Sequence, residues 1–159
     1  MQCVMDDSND SITACVVRLI HNYSSMNFNK FKELEIHPGQ LPVLINISRQ
    51  EGISLRELAD TIHIKPPTVT VTIQRLEKAG LVYKKADASD QRISRIYLTE
   101  KGKNIQRELD NLFNENERIL TKGFSGEEQQ LLREFLRRMT ENMRQEKRAV
   151  SYTHLTLPT

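Results

Sequence analysis

The stretch from Ile64 to Leu81, IKPPTVTVTIQRLEKAGL, gathers side chains that could meet the edges of base pairs. Methyl groups of Thr68, Thr70 and Val71 suit thymine methyls, while Gln74 and Arg75 carry the forked hydrogen-bonding groups that fit base edges in a major groove. A second set, DASDQR, places Arg92 beside Asp87 and Asp90 in a run with turn chemistry. No set of residues points to covalent chemistry. The sequence has no G-x-S-x-G, phosphate loop, dinucleotide fingerprint or paired catalytic carboxylates, so no enzymatic activity is expected. His21, His37, His63 and His154 are scattered, and Cys3 and Cys15 form no C-x-x-C pair. No metal site, disulfide framework or cofactor is expected, the thiols are read as reduced, and His21 stays open as a ligand in a pocket.

Charge is distributed unevenly. The chain of 159 residues has a formal net charge of only +2, yet between Lys65 and Arg107 ten basic residues face four acidic ones. The N-terminal arm is acidic, with Asp6, Asp7 and Asp10. A basic middle with less basic flanks fits an anionic polymer as partner, and a solvated lysine-rich face would look similar. Charged residues make up 28% of the chain and mean hydropathy is −0.54. No apolar run approaches the roughly 18 residues of a membrane helix, and the N-terminus has no apolar signal core, so a cytoplasmic protein is expected.

Apolar periodicity supplies the elements that must position these residues. Ile12, Val16, Leu19, Ile20, Tyr23, Phe31 and Leu34 recur at three and four, which predicts a helix over about 8–32, with irregularity near SSMNFN. Pro38 opens a second helix that Gly52 closes. Ser54 and Glu57 form a capping box that starts a third helix, running to about His63 with Leu55, Leu58, Ala59 and Ile62 inward. The next segment sets two signals against each other. TVTVT has strand propensity, but Val69, Thr72, Ile73 and Leu76 fall at i, i+3, i+4 and i+7 after two prolines suited to a first helical turn. The period decides for a helix over 66–79, with Gly80 as its left-handed cap. Its outward face is then poor in the usual Glu, Lys and Ala, which fits a face used for contact.

Residues 81–85 and 93–98 predict a hairpin with Arg92 at its tip. Thr99 caps a long helix to about Lys122, and a second capping box, Ser125 and Glu128, opens a last helix with Leu131, Leu132, Phe135, Leu136, Met139 and Met143. The final VSYTHLTLPT has neither charge nor helical period and looks like translated sequencing adaptor, so Val150 to Thr159 is set aside as a non-native tail.

A helix over 54–63, a tight turn, a helix over 66–79 and a hairpin form a winged helix-turn-helix. The chain resembles the MarR family of transcriptional regulators. The specific match is DASDQRISRIYLTEKG, Asp87 to Gly102, which follows that family's wing pattern, and SLRELADTIHIKPPTVTVTIQRLEKAGLV fits its helix-turn-helix. The resemblance spans roughly Ser8 to Arg148. It implies a mainly α fold of about six helices, with a small β-hairpin wing and a winged lobe on an all-helical dimerisation frame. Residues 1–36 would be an arm and dimerisation helix, 37–98 the DNA-binding lobe and 99–149 the C-terminal dimerisation helices. The implied protein is a homodimer on a pseudo-palindromic operator in double-stranded DNA, a repressor relieved by a small-molecule effector.

By position in the motif, Arg92 would enter the minor groove and Asp90 would orient the wing. Asp87 and Asp90 are equally ordinary turn caps, and Arg92 could be a solvated hairpin arginine. The implied DNA-contacting set is Ser54, Lys65, Pro67, Thr68, Thr70, Val71, Gln74, Arg75, Lys84, Arg92 and Arg95, with Ser54 and Lys65 as phosphate contacts. Val71 departs from the polar or basic residue of many relatives, and Arg75 could instead be held by a carboxylate of its own chain. Peroxide-sensing relatives use a first-helix cysteine. Here the second helix lacks their tyrosines, and Cys15 is read as a buried small hydrophobe rather than a redox switch. Two alternatives stay open: a thiol-based redox-sensing regulator that switches at Cys15, and a winged helix that binds protein instead of DNA.

Overall fold

The computed structural model describes residues 11–153, with side chains for 11–146. Cys3, the acidic arm and His154 lie outside the described residues. The helices are α1 (Ile12–Glu33), α2 (Leu41–Arg49), α3 (Leu55–Ile62), α4 (Pro66–Lys78), α5 (Glu100–Leu120) and α6 (Gly126–Thr153). The strands are β1 (Ile53–Ser54), β2 (Val82–Ala86) and β3 (Ser94–Leu98), joined antiparallel in the order β1-β3-β2. The expected mainly α fold with a β wing is therefore present, as a three-stranded sheet rather than a bare hairpin. β1 escaped the sequence reading because two residues carry no period.

Two compact units make up the chain, one ending at Leu109 and one beginning at Asp110. In the first, the inward stripes of α2, α3 and α4 meet the inner face of the sheet. Leu44, Ile47, Leu58, Ile73, Leu76 and Ile96 are fully buried there, with Val43, Ile53, Val69 and Val82 almost so. The period-three-to-four reading of α4 holds, and its β-branched residues divide between buried Val69 and the outer Thr68 and Val71. Both capping boxes form: the Ser54 hydroxyl accepts from the Glu57 N–H at 3.2 Å, and the Ser125 hydroxyl accepts from that of Glu128 at 3.2 Å.

One expectation is corrected, and two features extend the reading. α1 runs without a break through SSMNFN, since the side chain of Asn27 is buried and donates to the Tyr23 carbonyl one turn back. α6 continues past Val150 to Thr153, because no glycine or proline interrupts i→i−4 bonding there. Much of the apolar stripe of α1 is exposed in the single chain, including Ile12, Leu19 and Ile20, as are Leu131, Phe135, Leu136 and Met143 of α6 in the second unit.

The passage from α4 through the sheet into α5 is held by backbone contacts. Thr99 Oγ1 donates to the Gly80 carbonyl at 2.6 Å and accepts the Gly102 N–H at 3.0 Å, while Lys101 Nζ reaches the Ala79 carbonyl at 3.0 Å. The Leu81 carbonyl accepts the Thr99 N–H and lies so close to Gly102 that a Cβ there would sit 2.1 Å from its oxygen. This approach accounts for the L-T-x-x-G run at Leu98 to Gly102. Gly80, with φ +72°, has open space around it. Gly102→Ala should therefore lower the free energy of unfolding by about 3 kcal/mol, the upper end of overpacking. Gly80→Ala should lose only the left-handed strain of about 1–2 kcal/mol. Urea unfolding followed by circular dichroism checks the order; equal midpoints would refute the close-approach account.

Candidate nucleic-acid interface

On α4 the outward positions are those predicted. Pro67, Thr68, Val71, Gln74 and Arg75 are exposed and Thr70 is half-buried. No carboxylate among the described residues comes within ion-pair distance of Arg75, so the reading of an arginine held by its own chain is set aside. The Thr70 and Thr72 hydroxyls donate to the carbonyls of Pro66 and Thr68, at 2.9 and 3.0 Å. These bonds are the usual back-bonding of a helical threonine, and they remove the donors from the outer face. At the helix start Pro66 and Pro67 have no N–H, and the amides of Thr68 and Val69 both point to the Lys65 carbonyl. Contact with a phosphate at this end would fall to the exposed side chains of Lys65 and Thr68.

Arg95 belongs to a different network. From the middle of β3, its Nε donates to Asp87 Oδ2 at 2.6 Å, and Nη1 donates to the Gly52 carbonyl at 3.2 Å and to Glu57 Oε2 at 3.0 Å. One guanidinium thus joins the hairpin tip, the turn before β1 and the first turn of α3. Asp87 also accepts from the Ser89 hydroxyl and from the amides of Ser89 and Asp90. The Ser89 hydroxyl first, then Arg95 and the two amides, hold the Asp87 carboxyl far below the usual carboxylate range. The bonds from the Ser54 amide and hydroxyl, with a smaller contribution from the Arg95 charge, lower Glu57 as well. Arg95 is raised by the same contact with Asp87.

The sequence-predicted residues therefore separate into two groups. Arg95 is held by these carboxylates, and Lys84 Nζ lies 2.9 Å from Glu77 Oε2 on α4. Ser54 serves its capping box. Arg92 is exposed at the tip, and its backbone N–H donates to Asp90 Oδ1 at 2.9 Å. The Asp90 side chain thus caps the tip, while Asp87 makes the ion pair to Arg95. Sequence reasoning passed over Lys85, which is exposed with no ion-pair partner among the described residues and stands opposite Arg95 in the β2–β3 register. Strand alternation contains that signal, since it puts Lys84 and Lys85 on opposite faces. Cys15 is exposed rather than buried, 3.7 Å from an Arg18 nitrogen, because α1 leaves much of its stripe uncovered in the single chain.

A separate cavity of about 360 Å³ lies where α1 meets the 3-10 turn Pro38–Gln40 and the start of α2. Tyr23, Phe28, Phe31, Ile36, Pro38 and Leu41 give it an apolar wall, and Ser24, Lys32 and His37 contribute polar groups. His37 Nδ1 accepts the Gly39 N–H at 3.1 Å, so the neutral ring carries its proton on Nε2. Among the described residues no helix is long and apolar enough to cross a membrane, and no group of three or more His, Cys, Asp or Glu could hold a metal.

Asp87 yields a prediction with a definite sign. Its carboxyl is depressed in the folded state, so the stability it lends is full above the unfolded value of about 3.9 and declines as pH falls below it. Asp87→Asn should melt below the wild type at pH 7, and the gap should narrow steadily from about pH 5 to pH 2. Melting curves across that range check it; a gap that widens in acid would contradict the assignment.

Comparison with known proteins agrees with this architecture. The MarR family model matches residues 36–94. A MarR protein from Peptoclostridium difficile is 31% identical, with a TM-score of 0.76 and coverage of 94% of this chain and 99% of that one. The uncharacterized HTH-type transcriptional regulator YybA of Bacillus subtilis is 29% identical over 114 residues, 72% of this chain and 76% of that protein. A Staphylococcus aureus MepR–DNA complex, 24% identical, shares the fold with a TM-score of 0.73 over 86% of this chain and 99% of that chain. The chain belongs to the MarR family of transcriptional regulators and has its winged-helix fold.

Proposed function

We propose that the protein is a homodimeric repressor that binds a pseudo-palindromic operator in double-stranded DNA and is released by a small-molecule effector in the cytoplasm. The observation that carries this reading is the outer face of α4. A helix start made of two prolines presents Thr68, Val71, Gln74 and Arg75 to solvent, and neither the Gln74 nor the Arg75 side chain makes a hydrogen bond to another described residue. Buried groups normally satisfy themselves, whereas an array of unengaged polar side chains on a rigid helix suits base edges. Arg92 and Lys85 on the wing and Lys65 before α4 supply the cations for sugar-phosphate contact. Residues 37–98 would form the DNA-binding lobe, and MepR, a relative with the same fold, was solved bound to DNA.

Two further features support the remaining parts. Exposed Ile12, Val17, Leu19 and Ile20 on α1, and exposed Leu131, Phe135, Leu136 and Met143 on α6, are more apolar than a solvated helix needs. In a homodimer, residues 1–36 and 99–149 would cover these faces with their counterparts. The apolar cavity beside His37 suits a small, largely apolar ligand, which would act through its different affinity for the DNA-competent and DNA-incompetent arrangements.

Two measurements test the reading. With an operator selected from random DNA, Arg92→Ala should weaken binding at least about tenfold, and the slope of log affinity against log salt should fall by about 1. Unchanged affinity would remove Arg92 from the interface. Analytical ultracentrifugation should find a dimer of the intact chain, and Leu131→Glu with Phe135→Glu should convert it to folded monomers. A wild-type monomer at micromolar concentration would end the dimer proposal.

A further inference from the structure

The outer face of α4 has a methyl-bearing patch among its hydrogen-bonding groups. Val71 is 45% exposed in the middle of the helix, one turn before Gln74 and Arg75. An isolated exposed valine lowers helix propensity and contributes nothing to the core, so the position has no evident role within the chain. Its neighbours share the character. The Thr70 and Thr72 hydroxyls already donate to the Pro66 and Thr68 carbonyls, which leaves these side chains their methyls and an acceptor lone pair, but no donor. The centre of the face therefore offers apolar contact, and its C-terminal half offers the forks of Gln74 and Arg75.

Resting on the DNA-binding reading above, we propose that Val71, assisted by Thr70, reads the C5-methyl group of thymine, so that the operator requires thymine at the position facing α4's midpoint. In the major groove thymine alone carries a methyl, and an apolar side chain is its ordinary partner. The adjacent Gln74 strengthens the assignment. A glutamine fork matches adenine, and Val71 and Gln74 are separated by about 4.5 Å along the axis at the usual helical rise, between one and two base-pair steps of about 3.4 Å, so the two side chains can meet neighbouring base pairs. A thymine–adenine pairing of contacts follows from these two side chains, with Arg75 beside them as the fork suited to guanine. Lysine or arginine at position 71 would place a cation there instead and favour guanine or phosphate.

The test uses the intact protein and an operator selected from random duplexes, with affinities from fluorescence anisotropy. Each thymine is replaced in turn by deoxyuridine, which removes the methyl and keeps the base pair. The expected result is one sensitive thymine per half-site, at which substitution weakens the wild type about fourfold. Val71→Ala should bind the thymine operator about fourfold or more weakly and be insensitive to deoxyuridine at that same position. Val71→Thr, which keeps one methyl, should retain part of the sensitivity. Selective binding without a sensitive thymine, or a Val71→Ala variant as sensitive as the wild type, would overturn the methyl reading and leave operator binding intact. Failure to select any sequence above random DNA would overturn the operator reading, and this inference with it. Position 71 is exposed, so the variants keep the core, and unchanged melting temperatures verify that.

Discussion

The position of the wing depends on one guanidinium. Beyond Val82, strand β2 contributes only exposed residues, so apolar contact, including the Tyr83–Tyr97 stack and buried Ile96, reaches the middle of the hairpin and not its tip. Arg95 fills that gap by binding Asp87 at the tip, Gly52 at the turn before β1 and Glu57 at the start of α3. Register also places Lys85 opposite Arg95, and two facing cations across a strand pair would repel. Asp87 offsets that repulsion and is itself fixed by Ser89 and the turn amides. The wing is thus aligned with the helix-turn-helix by polar geometry, which sets direction more sharply than apolar contact would.

A second constraint fixes α4 from its C-terminal end. Carbonyls that a helix terminus leaves open are taken here by Thr99 and Lys101 from the start of α5, at Gly80 and Ala79. Lys84 on β2 reaches Glu77 on the last turn. Together with buried Val69, Ile73 and Leu76, these contacts hold α4 by its inner face and its end. The basic surplus of the central segment is accordingly divided. Arg95, Lys84 and Lys101 hold the fold, and Arg75, Arg92, Lys65 and Lys85 face outward.

What the sequence made legible was local or periodic. Ser54 and Glu57, Ser125 and Glu128, and Gly80 announce helix ends because capping acts over three or four residues. Val69, Thr72, Ile73 and Leu76 made α4 legible against its strand-like composition, since burial of a face outweighs intrinsic propensity. The ion pairs of Arg95 are not legible in the sequence because its partners lie 8, 38 and 43 residues away, distances at which composition gives no pairing. The expected burial of Cys15 failed for a related reason. Periodicity identifies an apolar face, and it does not say whether the face is covered within the same chain or by another.

The composition of α4 follows from how the helix is held. Thr68 through Thr72 are five β-branched residues in succession, each costing up to about 0.7 kcal/mol of helix propensity relative to alanine. A free-standing helix of this length would not tolerate such a run. Here the buried side and the anchored C-terminal end supply the stability, and the two prolines preset the first turn. The outer positions are thereby released from helix formation, and their residue types can be set by what they touch. The strand-like run in the middle of a helix is the mark of that release: the inner residues are chosen by the core, the outer ones by a partner surface.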